Sequence, residues 1–317
     1  MTSKRPLLTT LAVATAATLL LSGCGGTDGG AGSRDGVAVV AGFYPLEWAA
    51  GRVGGNLVSV TSLTAPGAEP HDLELAPQDL AAVAEADLLV YLDGFQPAVD
   101  EAAGSEAGDR AWDAGQVADL SRTGAEGAPG DDRAGEEHAG EDDEAVDPHF
   151  WLDPVRLADV GDALAERLGE LDPENAATFE QNAAALRDDL EALDAELQIA
   201  LDSCQVHTLV TSHDAFGYLG NRYGLEVVGV SGLSPSQEPD PAGLAEIAEL
   251  VEQRGVTTVY TETLVDPSVA ETVAREAGVV TAVLDPLEGL TDESAGEDYL
   301  EVMRANLAVL AEGQVCG

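Results

Sequence analysis

Short apolar runs alternate with helical patterns along this 317-residue chain, and the alternation occurs twice. In the first half, residues 37–40, 57–63 and 88–91 are runs of the kind that fills a strand covered on both faces, and 117–120 is a candidate fourth. Residues 77–85 between them have helical character, opening on Pro77. In the second half, residues 206–211, 225–230, 256–260 and 279–284 repeat the strand pattern. Helical stretches at 215–223, 241–253 and 267–276 separate them, and a last one spans about 298–311. Such alternation predicts an α/β protein with two βα lobes and mostly parallel sheets. No short self-similar period runs through the chain, which excludes a solenoid.

One long helical pattern separates the halves. Residues 173–202 have no Gly or Pro after Pro173, and Phe179, Leu186, Leu190, Leu193, Leu197 and Leu201 form a helical stripe. Asp172 before Pro173 is a start signal. A helix of this length is about 45 Å long, enough to join two lobes. Its acids exclude a membrane span. The predicted organisation is a signal segment 1–23, a tether 24–36, a first lobe 37–172, a linker helix 173–202 and a second lobe 203–317. Within the first lobe, 124–145 is rich in Gly, Asp and Glu and reads as an acidic loop containing His138.

Charge and cysteines locate the protein. Acids number 59 against 14 bases, for a formal net charge of −45, and Lys4 is the only lysine. This balance excludes nucleic acid as a partner. Lys4 and Arg5 precede an apolar run, 7–21, too short for a confident membrane span. Leu21-Ser22-Gly23-Cys24 closes that run and resembles a bacterial lipoprotein box, in which the cysteine becomes the first mature residue and carries the lipid. The expected location is therefore extracytoplasmic, anchored to the cell membrane through Cys24. Cys204 and Cys316 remain; outside the cytoplasm they are a candidate disulfide, the alternative being two buried thiols.

Three of the five histidines stand at the junctions between strands and helices. They are His71 in Glu69-Pro70-His71-Asp72, His149 in Asp147-Pro148-His149-Phe150-Trp151-Leu152-Asp153-Pro154, and His213 in Thr211-Ser212-His213-Asp214-Ala215-Phe216-Gly217-Tyr218. Ligands of α/β sheets lie beyond the carboxyl ends of the strands. His71 and His149 from the first half then face His213 and Asp285 from the second, where Asp285 follows strand 279–284. Three imidazoles and a carboxylate make a four-coordinate shell for a borderline-soft cation. Glu69 and Glu262 are the next candidates, as alternative ligands or as acceptors behind the histidines. Trp151, beside His149, is expected to wall the cleft. His207 lies within a strand and reads as structural.

With those segments in view, the chain resembles the metal-binding receptor lipoproteins of bacterial ABC importers, a family with zinc and manganese branches. The resemblance rests on Pro70-His71-Asp72 with Leu75-Ala76-Pro77-Gln78-Asp79, on the segments around His149 and His213, on Tyr260-Thr261-Glu262 and on Leu284-Asp285-Pro286. It implies two α/β lobes joined by one long helix, Zn2+ or another divalent metal held between them, and delivery to a membrane permease by a monomeric receptor. The family's ligands map onto His71, His149, His213 and Asp285. Manganese receptors carry a carboxylate at position 213, so the histidine here implies the zinc branch. Zinc receptors often have a histidine-rich loop before the second ligand, and the corresponding loop here is acidic. Three other readings share the same residues: a manganese or broad divalent-metal receptor, an adhesin-type or metal-buffering lipoprotein, and a zinc hydrolase with Glu262 as base. The absence of a His-Glu-x-x-His segment and the derivation of the ligands from both halves argue against the hydrolase.

Overall fold

The computed structural model describes residues 36–122, 146–237 and 239–317. The signal segment, the tether, Cys24 and the acidic loop with His138 lie outside the described residues.

Each half builds one parallel four-stranded sheet. The first contains β1 (Val37–Ala41), β2 (Val58–Ser62), β3 (Leu88–Tyr91) and β4 (Ala111–Asp113) in the order β2-β1-β3-β4. The second contains β5 (Thr208–Thr211), β6 (Glu226–Gly229), β7 (Thr258–Thr261) and β8 (Val280–Val283) in the order β6-β5-β7-β8. The two orders are equivalent. In each, the chain moves outward from the first strand to one side and then crosses to the other, which opens a crevice at the carboxyl ends of the central pair. The central strands carry buried side chains on both faces, as β3 with Leu88, Leu89 and Val90 illustrates.

The expected strand at 117–120 is not one. The fourth strand is Ala111–Asp113, paired to β3 through Leu89↔Ala111 and Tyr91↔Asp113, and residues 117–120 form turns. At the sheet's edge only one neighbour is available, so a three-residue strand with a polar end suffices and no apolar run marks it.

The helices are α1 (Tyr44–Gly54), α2 (Pro77–Glu85), α3 (Pro97–Ala102), α4 (Pro154–Leu171), α5 (Ala176–Leu201), α6 (Gly217–Tyr223), α7 (Pro241–Arg254), α8 (Ser268–Ala277) and α9 (Tyr299–Gly313). The long helix is α5, and it begins three residues after Pro173. Residues 173–175 turn the chain back from α4, so α4 and α5 pair as a helical hairpin; Asn175 donates to the Asp172 carboxylate at 2.6 Å. The stripe Phe179, Leu186, Leu190, Leu193, Leu197 and Leu201 is fully buried or nearly so. Each such side chain contributes roughly 1.5–3 kcal/mol of transfer free energy. Along its length α5 passes from one half to the other. Asn182 donates to Val53 O of α1 at 2.9 Å and Asp189 pairs with Arg52, while further on Asp194 pairs with Arg222 of α6 and Glu196 with Arg304 of α9. No helix among the described residues is long and apolar enough to cross a membrane.

Cys204 and Cys316 form a disulfide across a sequence separation of 112. It fastens the C-terminus to the entrance of β5, where the Gln314 side chain also donates to Val206 O and Thr208 O at 3.1 Å each. Closing so long a loop contributes roughly 3–5 kcal/mol by restricting the unfolded chain. Cys204→Ser with Cys316→Ser should therefore lower the metal-free unfolding temperature by roughly ten degrees, with metal stoichiometry unchanged well below the transition. Paired thermal unfolding and metal titration check this; loss of metal binding in the folded variant would contradict a purely stabilising bond.

Candidate metal site

Three loops and one helix entrance bring four donors together. His71, His149, His213 and Glu288 each offer one ligand atom, and all four atoms lie within 4.8 Å of one another.

His71 sits in the loop after β2. Gln96, almost fully buried, spans this loop from inside by donating to Thr64 Oγ1 at 3.0 Å and to Pro70 O at 3.2 Å. Glu69 accepts the backbone N–H groups of His71 and Asp72 at 3.0 and 3.1 Å. The His71 ring meets the edge of Phe95, with centroids 4.7 Å apart.

His149 stands just ahead of the 3-10 turn Phe150–Leu152 that leads into α4. Its motif can be read residue by residue. Asp147 Oδ1 accepts both the His149 N–H at 3.0 Å and ring Nδ1 at 2.8 Å. Phe150, Trp151 and Leu152 are completely buried. Asp153 caps α4 by accepting from Val155 N, and Pro154 occupies the first helical turn, where its missing N–H costs nothing. The Trp151 ring lies 5.2 Å from the His149 ring, and its Nε1–H donates to Pro286 O at 2.8 Å in the loop that carries Glu288.

His213 follows β5, and Glu262 follows the adjacent β7. Glu262 receives the His213 N–H at 3.0 Å on one oxygen and ring Nδ1 at 2.7 Å on the other. Asp147 and Glu262 thus do the same thing. Each fixes a ring by its Nδ1–H, which leaves Nε2 as the lone pair that faces the cluster. With both oxygens occupied, Glu262 is not disposed as a free general base.

The fourth donor differs from the expected one. Asp285 is buried, but its carboxylate points away from the histidines: Oδ1 accepts from Leu287 N at 2.8 Å and Oδ2 from Ser294 Oγ at 2.9 Å. The Asn306 amide brackets its backbone, accepting from Asp285 N at 3.0 Å and donating to Asp285 O at 2.7 Å. This turn holds Leu287 at a φ of 58°, and the chain then presents Glu288 to the cluster. Asp285 shapes the loop, and Glu288 provides the carboxylate. A signal for this distinction exists in the sequence. Asp147, Asp153, Asp240, Asp266 and Asp285 each precede a proline, and each accepts the N–H two residues on. An aspartate before proline is thus already engaged in its own turn in these segments.

The geometry suits a tetrahedral cation. Glu288 Oε1 lies 3.3, 3.2 and 3.1 Å from the Nε2 atoms of His71, His149 and His213, and the last two nitrogens are 3.3 Å apart. A tetrahedron with bonds of about 2.0 Å has six edges of about 3.3 Å, so four of the six match a zinc shell, and all six lie within 4.8 Å. Glu288 is completely buried, and its Oε2 finds no hydrogen-bond partner among the described residues, an expensive arrangement for a carboxylate unless positive charge is nearby. Burial pushes the Glu288 carboxyl up, but His213 and the hydrogen bonds from the three imidazoles outweigh it and hold it well below the usual range. Burial likewise pushes His213 down, yet Glu262 and Glu288 leave it well above its ordinary value. His149 is also raised, because the bonds to Asp147 and Glu288 exceed the effect of burial. His207, expected within a strand, precedes β5 and is exposed.

Fold and site together define a two-lobed α/β protein whose two parallel sheets bring a four-donor cluster, of the kind that could hold a small cation, to their carboxyl ends. The family model described as zinc-uptake complex component A, periplasmic (ZnuA), matches residues 39–313, and the chain belongs to that family. The high-affinity zinc uptake system protein ZnuA of Bacillus subtilis strain 168 is 33% identical over 312 residues, which cover 95% of this chain and 96% of that protein. The zinc-binding lipoprotein AdcA of Streptococcus pneumoniae serotype 4 is 36% identical over 281 residues, covering 86% of this chain; the chain spans about half, 55%, of that longer relative. Among solved structures, a Zn(II)-bound mutant variant of AdcAII of S. pneumoniae superposes with a TM-score of 0.75 at 31% identity, covering 88% of this chain and 99% of that one.

Proposed function

We propose that the protein is an extracytoplasmic receptor that binds Zn2+ through His71, His149, His213 and Glu288 and hands it to an ABC-type permease in the membrane. The observation that carries this reading is the set of three Nε2 atoms gathered within 3.3 Å of one buried Glu288 oxygen. Three imidazoles and one carboxylate favour zinc over manganese, which prefers oxygen ligands. Three of the four donors have no exposed surface, so cargo enters and leaves only when the halves separate at the cluster. Such a cycle serves delivery better than turnover, since a catalytic metal keeps a position open to water and a base beside it. A lipid on Cys24 holds the receptor, as a monomer, at the membrane where its permease lies. The names of the family and of its zinc-binding and zinc-uptake relatives support this assignment.

Metal analysis of protein purified without added metal, followed by competition, tests the proposal. One zinc per chain is expected, retained against equimolar manganese. His213→Glu should weaken zinc and move the preference toward manganese. Displacement of zinc by manganese from the wild type, or unchanged selectivity in His213→Glu, would remove the zinc assignment.

A further inference from the structure

Arg122 belongs to none of the metal-site segments, yet it touches the residue behind one histidine and the residue next to another. Its Nε donates to Asp147 Oδ2 at 2.9 Å, while Asp147 Oδ1 holds His149. Its Nη2 lies 3.4 Å from Asp214 Oδ1, and Asp214 directly follows His213. The Asp147 N–H donates back to Arg122 O at 2.9 Å. Tyr218 of α6 completes the knot: its hydroxyl accepts from Arg122 N at 3.4 Å and donates to Asp147 O at 3.2 Å. Asp147 is wholly buried, whereas the Arg122 side chain keeps 26% of its surface exposed.

The α6 helix is cut to receive this guanidinium. A Cβ on Gly217 would fall 1.8 Å from Arg122 Nε and 2.2 Å from its Cζ. Gly217 has an ordinary negative φ, so space and not backbone conformation requires glycine there. The Gly217-Tyr218 part of the His213 motif thereby has a role: Gly217 leaves the notch for the guanidinium, and the Tyr218 hydroxyl ties the Arg122 and Asp147 backbones together.

We propose that Arg122 is a positioning residue for the metal site and a latch between the halves, joining the His149 segment to the His213 segment in the closed, cargo-bearing form. This rests on the zinc-receptor reading above. A fork of parallel N–H donors suits two carboxylates at once, whereas a lysine ammonium acts as a point charge and does not reproduce the fork. With Asp147 tied on both oxygens, His149 has its Nε2 directed at Glu288 before metal arrives, and separating the halves requires breaking the Asp214 contact. The latch therefore acts mainly on how slowly metal leaves.

The test uses the mature chain loaded with one zinc, with dissociation followed by stopped flow into excess chelator. Arg122→Ala should release zinc about 10–100-fold faster, the range typical when a partner of a ligating histidine is lost. Arg122→Lys should fall between, and Gly217→Ala, which drives the guanidinium from its notch, should resemble Arg122→Ala. The metal-free unfolding temperature of each variant checks that the fold is kept. A cycle with Asp147→Asn and Asp214→Asn together separates positioning from general stability. Once Asp147→Asn has removed the anchor and Asp214→Asn the latch contact, Arg122→Ala should add less than about threefold; an acceleration equal to that in the wild type would show a merely structural role and overturn the proposal. Wild-type release rates in Arg122→Ala would also overturn it. Failure of the wild type to bind zinc at all would instead count against the receptor reading, so the two failures are distinguishable.

Discussion

Glu288→Ala should reduce zinc affinity about as much as His213→Ala, by about 10²–10³-fold, while Asp285→Asn should cost no more than about tenfold. A four-ligand zinc site supplies roughly 10–16 kcal/mol, so one ligand is worth roughly 3–4 kcal/mol, or two to three powers of ten. Among the described residues Glu288 Oε1 contacts all three imidazole nitrogens, so its removal also takes away the buried carboxylate nearest the metal's charge. Asp285→Asn acts only through the turn. An amide oxygen still accepts the Leu287 N–H, and the Ser294 contact changes character, which loosens the aim of Glu288 without deleting it. Calorimetric titration of the three variants, with unfolding temperatures as a control for folding, checks the ranking. An Asp285→Asn loss as large as that of Glu288→Ala would return Asp285 to the metal.

Acidification should release the metal, and the release should begin above the pH at which a free histidine titrates. The folded-state values of His149 and His213 are raised in the metal-free cluster, because carboxylates outweigh the burial that would lower them. Zinc binds neutral imidazole, so it competes with protons that these two rings hold to higher pH than a free histidine, at about 6.5, does. Each bound proton gives a tenfold change in affinity per pH unit; two give a hundredfold. From pH 7 to pH 5 a loss of at least about 10³-fold is expected. Titrations in buffers of different ionisation enthalpy should detect at least one proton released per zinc at pH 7, and an affinity flat over this interval would exclude histidine ligation.

The same groups set the stability of the metal-free protein, with the opposite dependence. A histidine whose folded value is raised stabilises the fold fully below its unfolded value of about 6.5 and loses that contribution as pH climbs through the folded value. Glu288, whose folded value is depressed, stabilises above the ordinary carboxyl range and loses its contribution as pH falls below it. The metal-free ion pair thus persists from mildly acidic pH to the raised His213 value. The rise in unfolding temperature on adding zinc should accordingly grow from pH 6 to pH 8.

The strands were readable wherever they fall on a run of apolar and β-branched residues, as β1 to β3 and β5 to β8 all do, the edge strands β2, β6 and β8 included. β4 was not readable, because its three residues, Ala111, Trp112 and Asp113, form no apolar run. The α5 stripe was legible because a helix buried along one face must repeat its leucines at helical spacing. The turn at Pro173 that makes α5 half of a hairpin with α4 shows only when the helices are seen packed. The three histidines were legible because imidazoles at βα junctions are few and the junctions share one side of their sheets.

The carboxylate was the residue that sequence left open. Glu69, Glu262, Asp285 and Glu288 all stand near strand ends, and all carry the right chemistry. By itself the sequence determined the two-lobed α/β class, the three imidazoles and the pair of cysteines, because these depend on local periodicity and on rare residue types. Only the tertiary structure decided which carboxylate joins the three histidines and which ones hold their rings. That choice depends on contacts distant in sequence: Asn306 bracketing Asp285, Trp151 holding Pro286, and Leu287 kept in a left-handed conformation so that Glu288 turns inward. The Asp285-Pro286 turn is local, but the aim of Glu288 is set by groups that meet only in the folded chain, Asn306 from α9 and Trp151 from the other half.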